Sequence, residues 1–175
     1  LQTVGAVPKE KFSVNDGNVM CPTHPMPAAN NREAANNKIE SYTTLWTSSF
    51  TDLNGKISRV KKSISEGNPV VISMICPNSF DGIGREGLWR PTESPDADVS
   101  GKKHGRHALC VVGYDNNKHG GAFEIQNSWG DDWGDGGYCW IKYNDFARFV
   151  YQAFELVELP KPEPKEPMLA GSLRL

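Results

Sequence analysis

No stretch of this 175-residue chain approaches the roughly 18 consecutive apolar residues that a membrane-spanning helix requires, so no membrane span is expected. The most apolar segments, around Val70–Cys76 and Ala108–Gly113, have the length of buried strands. No Lys/Arg run exceeds two residues, and 19 basic side chains stand against 21 acidic ones, a net charge of −2. That balance exerts no general pull toward nucleic acid or an anionic membrane, and no nucleic-acid partner is expected. Cysteine is scarce, with four residues at positions 21, 76, 110 and 139, which fit either two disulfides or four reduced thiols. A chain of this length buries roughly two-thirds of its unfolded surface, so it needs neither disulfides nor a structural metal to fold. The sequence has no internal repeat, and Leu1-Gln2-Thr3-Val4-Gly5 has no initiator Met and no signal-peptide core, which suits an interior start.

What is present has two textures. The first fifty residues are loop-rich, with Pro22, Pro25 and Pro27 around Cys21-Pro22-Thr23-His24 and a short strand expected over Lys38–Leu45. Asp52 suits the N-cap of a helix running to about Ser65: Leu53, Ile57, Val60 and Ile64 share one face, and Lys56, Arg59, Lys61 and Lys62 share the other. Gly67 and Pro69 then stop the helix, Val70–Ile75 reads as a buried strand, and 77–103 reads as a long loop of the kind that is usually functional or mobile. Beyond it the texture is β, with strands expected at 107–114, 121–128, 138–143 and 149–157 between Gly- and Asp-rich turns. The fold expectation is α+β: a mainly antiparallel, barrel-like sheet with one helix packed on it. Residues Pro160–Pro167 (PKPEPKEP) have the composition of an extended linker. The expected organisation is a domain part over 1–158, a linker over 159–167, and the start of a following domain or a tail over 168–175.

The chemistry-bearing segments are His107-Ala108-Leu109-Cys110-Val111-Val112-Gly113-Tyr114 and, with Asn127 placed 20 residues after His107, Asn127-Ser128-Trp129-Gly130-Asp131-Asp132-Trp133-Gly134-Asp135-Gly136-Gly137-Tyr138. These two boxes resemble those of the papain-like cysteine peptidases, and weaker similarity upstream extends the resemblance over about 1–157. The resemblance implies a catalytic His107, an Asn127 that orients it, and a Trp129 that covers their hydrogen bond. It further implies a peptide or protein substrate, no cofactor, and a secreted or cell-surface location.

The residue types suit that chemistry on physical grounds. A thiol with a pKa near ~8.5 is mostly protonated at neutral pH and needs an imidazole to take its proton. An imidazole in turn needs a partner that fixes its ring and tautomer, and a neutral amide does so without withdrawing the proton. Other motifs are weaker. Cys21/His24 and His104/His107 lack the second pair that a closed zinc site needs. The acids Asp131, Asp132 and Asp135 lack the bidentate Glu of a calcium loop. Gly134–Gly137 precedes no helix that could cradle phosphate. Trp133 reads as a core aromatic.

The nucleophile is the departure from the pattern. Only 106 residues precede His107, and no Gly-Ser-Cys-Trp-like segment occurs among them. Cys21 is followed by prolines that cannot continue a helix, whereas Cys76, Cys110 and Cys139 lie in β patterns. All four read as buried thiols or disulfide partners. The fold is then incomplete without an N-terminal nucleophile helix, and the expected partner is an upstream Cys-bearing segment or chain. A non-catalytic papain-like scaffold is the alternative, and a transglutaminase-like enzyme is disfavoured because its third group is Asp. Arg106, immediately before the His, places a permanent cation beside the imidazole, which would help a thiolate if it pointed into the site.

Overall fold

The computed structural model describes residues 28–95 and 105–158. They build one seven-stranded sheet from β1 (Ile39–Trp46), β2 (Val70–Cys76), β3 (Leu88–Trp89), β4 (Gly105–Asp115), β5 (Ala122–Gln126), β6 (Tyr138–Lys142) and β7 (Val150–Glu158). The order across the sheet is β1-β7-β2-β4-β5-β6-β3, antiparallel throughout except for the short β3–β6 pair. The architecture is α+β, and the sheet remains open, with β1 and β3 at its edges, rather than closing into a barrel.

Strict alternation sets the buried face. In β2, Val70, Ile72, Met74 and Cys76 point into the core, while Val71, Ser73 and Ile75 lie half-buried on the other side. The core gathers these with Leu109 and Val111 of β4, Phe123 and Ile125 of β5, and Cys139 and Ile141 of β6. Helix α2 (Leu53–Ser65) crosses this face, capped as its sequence demands by Asp52, whose carboxylate accepts the Gly55 N–H at 3.0 Å.

Two expectations for α2 need correction. Leu53, the first helical residue, is 39% exposed. Lys56, placed by periodicity on the solvent face, is buried, with its ammonium donating to Ala147 O at 2.9 Å and Val150 O at 2.7 Å. Ala147 lies in the last turn of α4 (Tyr143–Phe149), a helix the sequence did not announce, and Val150 is its C-cap, the positions where helix carbonyls run out of intrahelical donors. Desolvation lowers the Lys56 pKa, and the two carbonyls compensate for the burial.

Three short helices thus join the one expected. Helix α1 (Ala28–Ala34) lies in the region read as loop, α3 (Asn78–Asp81) lies inside the segment 77–103, and α4 replaces the turn between the last two strands. Phe146, Ala147 and Phe149 bury α4 against the core, and tertiary packing of this kind is what holds a seven-residue helix. The segments 159–167 and 168–175 and residue Cys21 lie outside the described residues.

Candidate active site

The strand β4 overhangs its neighbour. Its pairing with β5 begins only at Cys110 opposite Gln126, so residues 105–109 are held by β2 on one side and project beyond β5 on the other. His107 sits on this overhang, opposite Met74. Asn127 is the first residue after β5, where the chain leaves the sheet, and its own N–H is tied across to Gly137 O at 2.9 Å. Strand order and the end of β5 therefore bring together two residues that stand 20 positions apart.

His107 Nε2 lies 2.8 Å from Asn127 Oδ1. The same Oδ1 accepts the Ser128 backbone N–H at 2.7 Å, which fixes the amide with its oxygen toward both groups. An amide oxygen only accepts, so Nε2 carries the proton and Nδ1 keeps its lone pair for a proton from elsewhere. Asn127 Nδ2 is buried and has no hydrogen-bond partner among the described residues. A groove lined by Val71, Ala108, Cys110, Gln126, Asn127 and Ser128 runs beside this amide.

Trp129 lies flat against the imidazole, with ring centroids 4.8 Å apart and an interplanar angle of 23°. Its outer surface is open, at 43% exposure. Its inner edge meets Phe80 at 5.8 Å and Trp133 at 5.6 Å, both T-shaped. Trp133 is buried, and its indole N–H donates to Phe80 O at 3.2 Å, so the two residues that back Trp129 are locked to each other. Phe80 also packs edge-on against Trp89, whose N–H donates to Ser79 Oγ at 3.1 Å. Ser79 is anchored in turn by Glu93 at 2.6 Å.

The sequence reading missed Phe80 and α3, which carries it. A four-residue helix has no periodicity to read, and the only local signal is Pro77 before it. The connection 127–137 is held by close backbone contacts that need glycine. Gly134 has φ +59°, and a Cβ there would stand 2.4 Å from Tyr138 O. Among the described residues, no group of three or more His, Cys, Asp and Glu side chains is arranged to hold a metal ion.

The described cysteines are free thiols placed away from activation. Burial, with Asp81 nearby, pushes Cys76 up to about 12. Burial raises Cys139 further and Cys110 as well, the last with its Sγ turned toward Val111 O. Each is held in the protonated form.

A model of the papain family of cysteine proteases matches residues 5–153. An uncharacterised peptidase C1-like protein of Acanthamoeba polyphaga mimivirus is 27% identical over 117 residues, which is 66% of this chain and 35% of that protein. Cathepsin B-like cysteine proteinase 1 of Ostertagia ostertagi is 29% identical over 86 residues, 49% of this chain and 23% of that protein. Among solved structures, the cysteine protease xylellain of Xylella fastidiosa superposes with a TM-score of 0.63 at 21% identity, covering 90% of this chain and 58% of that one. The chain thus spans about a third or less of the length of these curated relatives.

Proposed function

The chain belongs to the papain family of cysteine proteases, and on that footing we propose that it supplies the general base and its orienting amide to a cysteine peptidase acting on peptide or protein substrates. The observation that carries this reading is the contact of His107 Nε2 with Asn127 Oδ1 at 2.8 Å, roofed by Trp129. In the proposed mechanism, His107 Nδ1 takes the proton of a cysteine thiol and later gives it to the leaving amine. Asn127 holds the ring plane and tautomer through Nε2, and Trp129 keeps water from competing for that bond.

The nucleophile is proposed to come from a segment other than the described residues. Cys76 and Cys139 are buried and Cys110 is half-buried, all three with raised pKa values, and the prolines after Cys21 do not suit a nucleophile helix. The unpaired Asn127 amide and the groove beside it support a further segment packing at this edge. On this reading residues 1–158 are the C-terminal part of the peptidase domain, 159–167 form a linker, and the chain on its own is inactive.

The test is hydrolysis of an unfolded protein substrate by the intact parent under reducing conditions. Thiol-dependent cleavage that an epoxide inhibitor blocks is expected. A correctly folded parent that cleaves nothing would overturn the reading in favour of a non-catalytic scaffold.

A further inference from the structure

Helix α3 has four residues, too few to hold itself by its own hydrogen bonds, and its N-cap, Pro77, makes no side-chain bond to it. Glu93, 14 residues after Ser79, takes that place: its Oε1 accepts the Ser79 N–H at 3.1 Å and its Oε2 accepts the Ser79 hydroxyl at 2.6 Å. The same Oε2 accepts the Thr92 N–H and the Thr92 hydroxyl, each at 3.1 Å. With its own proton committed to Glu93, the Ser79 hydroxyl offers only lone pairs to the Trp89 indole N–H, which donates to it at 3.1 Å. Burial works against the charge on Glu93, but the bonds from Ser79 and Thr92 outweigh it and hold the carboxyl below the usual carboxylate range.

The residue that this clamp places is the next one, Phe80. Its buried ring meets Trp89 at 5.2 Å, Trp133 at 5.1 Å and Trp129 at 5.8 Å. Trp89 and Trp133 are buried and tied by their indole N–H groups, to Ser79 Oγ and Phe80 O. Trp129 is the open member of the cluster, stacked on the imidazole by one face and resting on Phe80 and Trp133 by its inner edge. A continuous set of contacts therefore runs from the Glu93 carboxylate through Ser79 and Phe80 to Trp129, and from Trp129 to His107.

We propose that Glu93 is a positioning residue for the reaction: by clamping α3 it keeps the Phe80 ring behind Trp129, and so keeps Trp129 closed over the His107–Asn127 hydrogen bond. The proposal rests on the peptidase reading above. Glu93 acts through Phe80 and Trp129 rather than on the imidazole itself. Without the clamp the short helix shifts, the open indole loses its backing and lifts, and water competes for His107 Nε2. The base then stays in place but loses its fixed plane and tautomer, which weakens the chemical step more than substrate binding.

The experiment measures kcat and KM of the intact parent on a peptide substrate, per active site titrated with an epoxide inhibitor, so that a smaller yield of folded enzyme does not enter. Glu93→Ala is expected to lower kcat about tenfold with KM within about twofold, and Glu93→Gln, which keeps one acceptor oxygen, to lower kcat about threefold. Trp129→Ala closes the cycle: in that background either Glu93 variant costs less than about twofold, because the residue it acts through is already gone. Should Glu93→Ala fail to fold, the cycle with Glu93→Gln carries the test. Wild-type kcat per titrated site in the Glu93 variants, or a loss undiminished in the Trp129→Ala background, would overturn the positioning role while leaving the peptidase reading intact. Cleavage of no peptide by the intact parent would overturn that reading and this proposal with it.

Discussion

The two ends of β4 carry similar residues and do different things with them. At its start, His107 stands with Asn127 and Trp129; just past its other end, His119 stands in a turn with Asn116 while Trp140 lies nearby on β6. The far turn is bonded largely within itself, and its ties to the rest of the fold are the Tyr143 hydroxyl donating to Asn116 Oδ1 and Lys118 lying over Trp140. Asp115 Oδ1 accepts the N–H groups of Asn117 at 2.7 Å and Lys118 at 3.1 Å, and residues 116–120 are exposed. His119 adopts φ 55° and is exposed. The near end leans on distant parts of the chain: Ile83 O receives the Gly134 N–H, Phe80 O receives the Trp133 indole, and the His107–Asn127 contact spans 20 residues. A histidine beside an asparagine and a tryptophan is common material. What separates the two ends is that one turn takes its tightest bonds from its own Asp115, with Tyr143 as a neighbouring anchor, whereas the other is positioned mainly by packing from distant segments.

The largest test of this contrast lies in the two histidines. On the proposed mechanism, His107→Ala removes the base and lowers kcat of the intact enzyme by about 10³-fold or more, whereas His119→Ala leaves kcat and KM within twofold, as steady-state kinetics would show. Comparable losses in both would erase the distinction between the ends.

Asn127→Ala should cost less than His107→Ala, on the order of 10- to 100-fold in kcat with little change in KM, because the imidazole stays but loses its orientation. A KM-dominated loss would point to substrate contact instead.

The glycines sharpen the same comparison through stability. Gly134→Ala forces a Cβ to within 2.4 Å of Tyr138 O at a positive φ, and about 2–3 kcal/mol of destabilisation is expected from denaturant unfolding. Gly120 has φ +80° with nothing within 4 Å of its would-be Cβ, so Gly120→Ala should cost only about 1 kcal/mol. Equal costs would mean that the connection 127–137 is no more constrained than the far turn.

A smaller effect concerns the thiols between these ends. Cys76 is raised to about 12 in the fold, whereas an unfolded thiol ionises near ~8.5. The unfolded chain therefore loses its proton first, and stability present below that value declines as pH rises toward 12. Urea midpoints measured from pH 7 to pH 10.5 should fall less steeply in Cys76→Ala than in the wild type, and an unchanged slope would show that Cys76 does not contribute.

Much of this contrast was legible in the residues themselves. The spacing of Ile57, Val60 and Ile64 after Asp52 marks α2, and the alternation in 70–76 marks β2, because each element is governed by its own periodicity. The His and Asn boxes named the residues that now lie in hydrogen-bond contact. Helices α3 and α4 were not legible, since four and seven residues carry too little period and are held by Phe80, Phe146 and Phe149 packing on distant strands. The burial of Lys56 escaped for the same reason: its partners are carbonyls more than 90 residues away. The barrel-like character expected of the sheet stops short of closure, because β3, two residues long, pairs with β6 and leaves an edge opposite β1.

The central claim is that His107 serves a thiolate other than Cys76, Cys110 and Cys139. Labelling the intact parent with a vinyl-sulfone or epoxide warhead, and mapping the alkylated cysteine by mass spectrometry in wild type and His107→Ala, tests it most directly. The account predicts rapid labelling at one cysteine outside Cys76, Cys110 and Cys139, lost when His107 is replaced. Rapid, His107-dependent labelling of Cys76, Cys110 or Cys139 would contradict it.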